Sequence, residues 1–165
     1  MKISIANLSE GVHEYRFTIE PALLGLADNF TKEVVVHVTL DKTGRGLYLK
    51  AKAGVPAKFI CDRCVDSFDR QIETGYQIVY VYDERDRRKG PGDEVQVIHS
   101  GATAIDLDDD LREFLLLAVP LKLLCRDNCR GLCPHCGTNW NRSQCSCHAE
   151  EIDPRWQKLK QRFSD

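Results

Sequence analysis

Glu33-Val34-Val35-Val36-His37-Val38-Thr39-Leu40 sets Val34, Val36, Val38 and Leu40 on one side of the chain and Val35, His37 and Thr39 on the other. Alternation with period two marks a β-strand with one apolar face, because successive side chains of an extended chain point in opposite directions. The segment Asp41-Lys42-Thr43-Gly44-Arg45-Gly46 follows, with glycine where positive φ is cheap. Leu47, Leu49, Ala51 and Ala53 then resume the alternation, so the two runs predict a hairpin. Gly54-Val55-Pro56 reads as a further bend before Ala57 to Ile60. From Phe68 to Tyr82, Ile72, Tyr76, Ile78, Tyr80 and Tyr82 stand at even spacing with Val79 and Val81 opposite, which predicts a longer strand able to bend at Gly75. The first half of the chain is therefore expected to be mainly antiparallel β.

The second half changes character. Asp83-Glu84-Arg85-Asp86-Arg87-Arg88-Lys89-Gly90-Pro91-Gly92-Asp93-Glu94 mixes both charges with Gly and Pro and reads as a mobile loop. Asp106 then reads as the cap of a helix whose first turn holds Asp108, Asp109 and Asp110, carboxylates favoured by the free N–H groups at a helix start. Leu107, Leu111, Phe114, Leu115 and Ala118 form one face. Leu116, Leu117 and Val119 make the last turns apolar all round, which predicts burial on several sides. Pro120 stops this helix. A final helix is expected from Asp153, with Pro154 at its first position and Trp156, Leu159 and Phe163 along one side. The fold class expected is α+β: an antiparallel β-sheet domain with a closing helix over 1–120, then a cysteine-rich zinc-binding segment and terminal helix over 121–165.

A chain of 165 residues with 42% apolar residues is long enough for one good core and a small satellite module. Its formal charge of -2 excludes a protein that coats nucleic acid through bulk positive charge, so any RNA contact must come from a local patch. No segment approaches the roughly 20 apolar residues of a membrane span, and the N-terminus has no continuous apolar run of the kind that directs export. The expected location is the cytoplasm. There the eight cysteines would be reduced, and clustered reduced thiols are metal ligands or redox groups, whereas disulfide staples belong to oxidising compartments.

Six of them fall between Cys125 and Cys147 in the order C-x3-C-x3-C-x2-C-x8-C-x-C. Within that run Cys133-Pro134-His135-Cys136-Gly137 has the form of a zinc knuckle, Pro fixing the turn and Gly letting backbone N–H groups face the sulfurs. Four thiolates close a tetrahedral shell around zinc at about 2.3 Å and leave no position for substrate, so the site is structural. The economical grouping is Cys133, Cys136, Cys145 and Cys147, with the eight residues between Cys136 and Cys145 as a return loop through Asn139, Trp140 and Asn141. Cys61-Asp62-Arg63-Cys64 is a second C-x-x-C pair, and with Cys125 and Cys129 it makes a second set of four. Zinc there would clamp the β half to the C-terminal half. Alternatives are a histidine, His135 or His148, in place of one cysteine, or a single ion. A thioredoxin-like redox pair would sit ahead of a helix in a βαβ unit, whereas Cys61 and Cys64 lie between antiparallel strands.

These residues also carry a resemblance. Cys61-Asp62-Arg63-Cys64, Ile105-Asp106-Leu107, Leu115-Leu116-Leu117-Ala118-Val119-Pro120, Cys129-Arg130-Gly131-Leu132-Cys133-Pro134-His135-Cys136-Gly137, Cys145-Ser146-Cys147 and Asp153-Pro154-Arg155 together resemble the YceD family, the large ribosomal RNA subunit accumulation proteins. The resemblance implies a bacterial or plastid factor needed for accumulation or processing of 23S ribosomal RNA during large-subunit biogenesis.

Two readings of such a factor follow. In the first it binds ribosomal RNA or a pre-ribosomal particle directly. Arg126, Arg130 and Arg142 stand on or near the zinc loops, where a rigid scaffold presents cations to phosphate, and Trp140 offers a ring to stack on a base. In the second it is an adaptor for a basic ribosomal protein or a processing enzyme, which suits the acidic balance of the chain. No phosphate loop, H-E-x-x-H or nucleophile with an adjacent base is present, so a non-catalytic role with no small-molecule substrate is expected.

Overall fold

The computed structural model describes residues 1–85, 94–99 and 101–147. Along these run β1 (Lys2–Ser4), β2 (Gly11–Ile19), a 3-10 turn (Pro21–Leu24), β3 (Val34–Thr43), β4 (Gly46–Ile60), β5 (Ser67–Val81), β6 (Glu94–Val97), β7 (Ala104–Asp106) and the helix α1 (Asp108–Leu117). Five strands form one sheet in the order β2-β3-β4-β5-β6, antiparallel except for the parallel pair β5 and β6, while β1 and β7 pair antiparallel on their own.

One face of the large sheet is the core. Val34, Val36, Val38 and Leu40 of β3 are buried beside Leu49, Ala51, Val55 and Ala57 of β4 and Ile72, Tyr76, Ile78 and Tyr80 of β5. Each fully buried aliphatic side chain stabilises by about 1.5–3 kcal/mol relative to exposure. Leu107, Leu111 and Leu115 cover this face, and Phe114 stacks on Tyr76 with ring centroids 4.5 Å apart.

The β3–β4 hairpin is tighter than the sequence suggests. Thr43 pairs with Gly46, so Asp41 and Lys42 are strand and the turn is Gly44-Arg45 alone. Gly46 is fixed by contact, since a Cβ there would collide with the Tyr80 carbonyl. The bend expected at Gly54-Val55-Pro56 is absent, and β4 runs straight through it. Pro56 is tolerated for a positional reason. The β3 ladder ends at the Val35–Gly54 pair, and the Pro56 carbonyl faces away from β5 to accept the Thr31 N–H at 3.1 Å. Carbonyl and nitrogen of one strand residue face the same side, so the missing N–H falls where no strand needs it.

Two further expectations are corrected at the helix. Asp106 ends β7, and the residue before α1 is Leu107. Asp106 still serves the helix start, because its Oδ1 accepts the Asp108 N–H at 3.2 Å. The apolar end of α1 is not enclosed: Leu116 is 41% and Leu117 78% exposed. A helix laid on a sheet buries one face only, here the one carrying Leu111 and Leu115. The helix expected from Asp153 lies outside the described residues, as do 86–93 of the charged loop.

What places the functional residues is the length of the β4–β5 ribbon. Its ladder continues from Gly54 to the Ile60–Ser67 pair, beyond the end of β3. Along one edge the chain ahead of β3 supports it, through the Phe30–Ala57 bridge and the Lys58 N–H donated to the Asn29 carbonyl at 2.7 Å.

Candidate metal centres

At the tip of this ribbon, residues 61–66 fold back in a knuckle. The Val65 N–H donates to the Cys61 carbonyl at 2.9 Å, and the Cys61 N–H to the Asp66 carbonyl at 2.9 Å. The C-terminal segment repeats the device. There Gly137 N–H donates to the Cys133 carbonyl at 2.9 Å, and the Cys133 N–H to the Thr138 carbonyl at 2.9 Å. Both residues that follow the second cysteine have left-handed backbones, Val65 at φ 60 and Gly137 at φ 72. Glycine enters that region freely; a β-branched residue does so only when its surroundings impose it.

The first group of sulfurs is Cys61, Cys64, Cys125 and Cys129, with all four Sγ atoms within 4.8 Å of one another. Cys61 and Cys129 approach to 3.8 Å, Cys64 and Cys125 to 3.7 Å. Those distances are too long for disulfides and match the edge, about 3.8 Å, of a tetrahedron of sulfurs at about 2.3 Å from a central ion. Cys61, Cys64 and Cys129 are buried. Residues 121–132 are stitched to the knuckle: the Asp62 N–H donates to the Leu123 carbonyl at 2.8 Å, and Asp62 Oδ2 accepts the Leu123 N–H at 2.6 Å. Arg63 donates to the Cys129 carbonyl at 2.8 Å, and the Leu132 N–H to the Arg63 carbonyl at 3.1 Å. Gly131, at φ +79, lets that strand of chain pass, since a Cβ there would lie 3.0 Å from the Arg63 carbonyl.

The second group is Cys133, Cys136, Cys145 and Cys147, again with all sulfurs within 4.8 Å. It is more open: Cys133 is buried, Cys145 half-buried, and Cys136 and Cys147 are exposed. Thr138 Oγ1 lies 3.1 Å from Cys136 Sγ, and the Trp140 indole N–H donates to Cys145 Sγ at 3.3 Å. His135 is not in either group, and His148 lies outside the described residues.

Titration behaviour follows from crowding four thiols together. Burial opposes the Cys61 thiolate, but backbone N–H groups at Cys125, Cys64 and Arg63 outweigh it and hold the thiol down at about 6. For Cys64 the Asp66 backbone favours the thiolate, yet burial and the neighbouring sulfurs push it up to about 12. The second group splits likewise, Cys136 lowered first by the Thr138 hydroxyl and Cys147 raised first by Cys136. Four anions this close cannot all form without a compensating cation, and a dication would remove the conflict. All-thiolate donors, tetrahedral spacing and N–H groups aimed at sulfur fit zinc or another thiophilic ion of the same geometry.

The residues expected to meet RNA all lie on these loops. Arg126 and Arg130 are exposed. Arg142 is 71% exposed but donates to Asp66 Oδ1 at 3.0 Å. Trp140 is 38% exposed, with its N–H committed to Cys145. Sequence reading missed a set of residues that link the groups. Asp66 Oδ2 accepts from Asn139 Nδ2 at 2.9 Å, Asn141 Nδ2 donates to Cys129 Sγ at 3.3 Å, and Asn141 Oδ1 accepts the Arg130 N–H at 2.9 Å. Their one sequence signal is position, an Asp just past one C-x-x-C and an Asn-x-Asn in the loop after the other.

A search of solved structures finds no match. Among curated proteins, an uncharacterized protein of Mycobacterium tuberculosis is 28% identical over 126 residues, 75% of this chain and 59% of that protein. An uncharacterized protein of Mycobacterium leprae is 28% identical over 124 residues, 75% of this chain and 56% of that protein. The chloroplastic large ribosomal RNA subunit accumulation protein YCED homolog 1 of Arabidopsis thaliana is 35% identical over 49 residues, 30% of this chain and 15% of that protein. The chain thus spans 59% of the length of the mycobacterial relative. The sequence profile described as large ribosomal RNA subunit accumulation protein YceD matches residues 49–161, a stretch that holds all eight cysteines, and the chain belongs to the YceD family.

Proposed function

We propose that this protein is a non-catalytic cytoplasmic factor of large ribosomal subunit biogenesis, supporting 23S ribosomal RNA accumulation or processing, in which zinc at the two four-cysteine groups orders 121–147 against a sheet domain of 1–120. The observation that carries the reading is the first group, which joins the tip of the β4–β5 ribbon to Cys125 and Cys129. With each ion bound, the loops bearing Arg126, Arg130, Arg142 and Trp140 become one rigid surface for ribosomal RNA or a pre-ribosomal particle. The family description and the printed name of the Arabidopsis relative support ribosomal RNA as the business of this surface.

The metal content is tested directly. Untagged protein is expected to hold two zinc ions per chain, falling to one after Cys61→Ser and to one after Cys136→Ser; a metal-free protein would overturn the zinc assignment. The RNA face is tested by Arg126→Glu with Arg130→Glu. Two lost phosphate contacts lower the slope of log affinity against log salt by about 2. Unchanged binding to large-subunit RNA would sink that face. A second reading, an adaptor for a basic ribosomal protein or a processing enzyme, is favoured by charge: four thiolates around one Zn²⁺ carry about -2 at each centre. Co-purification of one stoichiometric basic protein, without ribosomal RNA, is the result that selects it.

A further inference from the structure

The two sulfur groups do not stand independently. The return loop 138–144 that carries the chain from Cys136 to Cys145 belongs by connectivity to the second group, yet its side chains reach the first. Asn141 Nδ2 donates to Cys129 Sγ, while Asn141 Oδ1 takes the Arg130 N–H just beyond that cysteine. Asn139 and Arg142 divide the Asp66 carboxylate between them, at 2.9 and 3.0 Å, two residues beyond Cys64. The loop is itself held by the second group and its flanks: Cys133 N–H to the Thr138 carbonyl, Trp140 N–H to the Gly131 carbonyl at 3.0 Å, and Trp140 Nε1 to Cys145 Sγ. Asn141 is oriented from within, its amide also bonded to Asn139 Oδ1 at 2.9 Å.

Resting on the zinc reading above, we propose that the two centres are energetically coupled, with Asn141 as the positioning residue through which metal at the exposed second centre tightens metal at the buried first. An N–H···S bond stabilises a thiolate ligand and fixes its direction. Partners of this kind typically contribute 10–100-fold in metal affinity. Metal at the second centre holds the loop in the conformation that makes this bond, and its loss frees the loop and removes the bond. Coupling between two binding equilibria is reciprocal, so metal at the first centre tightens the second by the same factor. The exposed sulfurs Cys136 and Cys147 make the second centre the first to yield to a chelator, and release is ordered from outside inward.

The test uses the full chain loaded with cadmium, read by cadmium NMR and by release to a chromogenic chelator. The first-centre resonance is assigned as the one lost in Cys61→Ser. Asn141→Asp keeps the acceptor for Arg130 and deletes the donor to Cys129; Asn141→Ala deletes both without adding charge. Each is expected to keep two ions, to move the first-centre resonance and not the second, and to speed first-centre release about 10-fold. A Cys145→Ser/Cys147→Ser protein, with one ion left, is expected to show the same acceleration, and adding Asn141→Ala to it is expected to accelerate nothing further. Additive effects of the two changes, or an unaltered first-centre rate in either, would overturn the coupling while leaving two zinc sites intact. A chain that binds no metal overturns the zinc reading as well.

Discussion

Val65 and Gly137 occupy equivalent places in two knuckles, one residue past the second cysteine, and only one of them is glycine. Left-handed backbone costs a residue with a Cβ roughly 1–2 kcal/mol. Glycine forfeits part of the relief through its freedom in the unfolded chain. Val65→Gly is therefore expected to stabilise the zinc-loaded protein by roughly 0.5–1 kcal/mol, seen as a higher urea midpoint; a lower midpoint would show that the Val65 side chain contributes packing that outweighs its strain. Gly131→Ala is the converse case. It combines φ +79 with a 3.0 Å approach to the Arg63 carbonyl, and a loss of about 1–3 kcal/mol is expected by the same measurement. The Cys133–Gly137 knuckle was legible because its residues announce the backbone they adopt. The Cys61–Val65 knuckle shares the geometry, but valine conceals it, since the knuckle is held by long-range contacts with Leu123, Cys129 and Leu132 rather than by local preference.

Among the elements, α1 and the β4–β5 ribbon carry most of the architecture. Leu111 is fully buried under the sheet, and Leu111→Ala is expected to cost about 2–5 kcal/mol in thermal or urea unfolding. Tyr76 presents its hydroxyl to the interior with no hydrogen-bond partner among the described residues, so Tyr76→Phe removes a desolvated group and keeps the stack on Phe114. Stability equal to the parent or higher by about 1 kcal/mol is the expected result; a loss above that would show the hydroxyl is satisfied in solution. Strands β3, β4 and β5 were readable because each alternates over many residues with one face buried. Pro56 was misread because proline's meaning depends on which neighbour a strand lacks, a fact of tertiary structure. Strands β1, β6 and β7, of three or four residues, hold no periodic signal, and their pairing joins residues as distant as Ile3 and Ile105. The exposed end of α1 went the other way, since apolar residues on every side of a helix do not create a second surface to cover them.

For the whole molecule, the sheet has its own apolar core, whereas the described part of the C-terminal segment buries little besides cysteines. Removing metal with a chelator under reducing conditions is expected to expose 121–147 to limited proteolysis while the sheet keeps its far-UV spectrum and slow amide exchange. Concerted loss of both would show that the metal stabilises the entire fold. Cysteine number and spacing made the two sulfur groups legible. The partner was not, because surface arginines and one tryptophan have no spacing rule that distinguishes a binding face from solvated charge. One consequence lies in the order of synthesis. The first centre joins Cys61 and Cys64 to Cys125 and Cys129, so its donor set is incomplete while the polypeptide emerges, even after β2 through β5 have cleared the exit tunnel. A nascent chain at that stage carries two unsatisfied thiols on a finished ribbon, and under the metal reading proposed above its loading is a late checkpoint that a truncated translation product never passes.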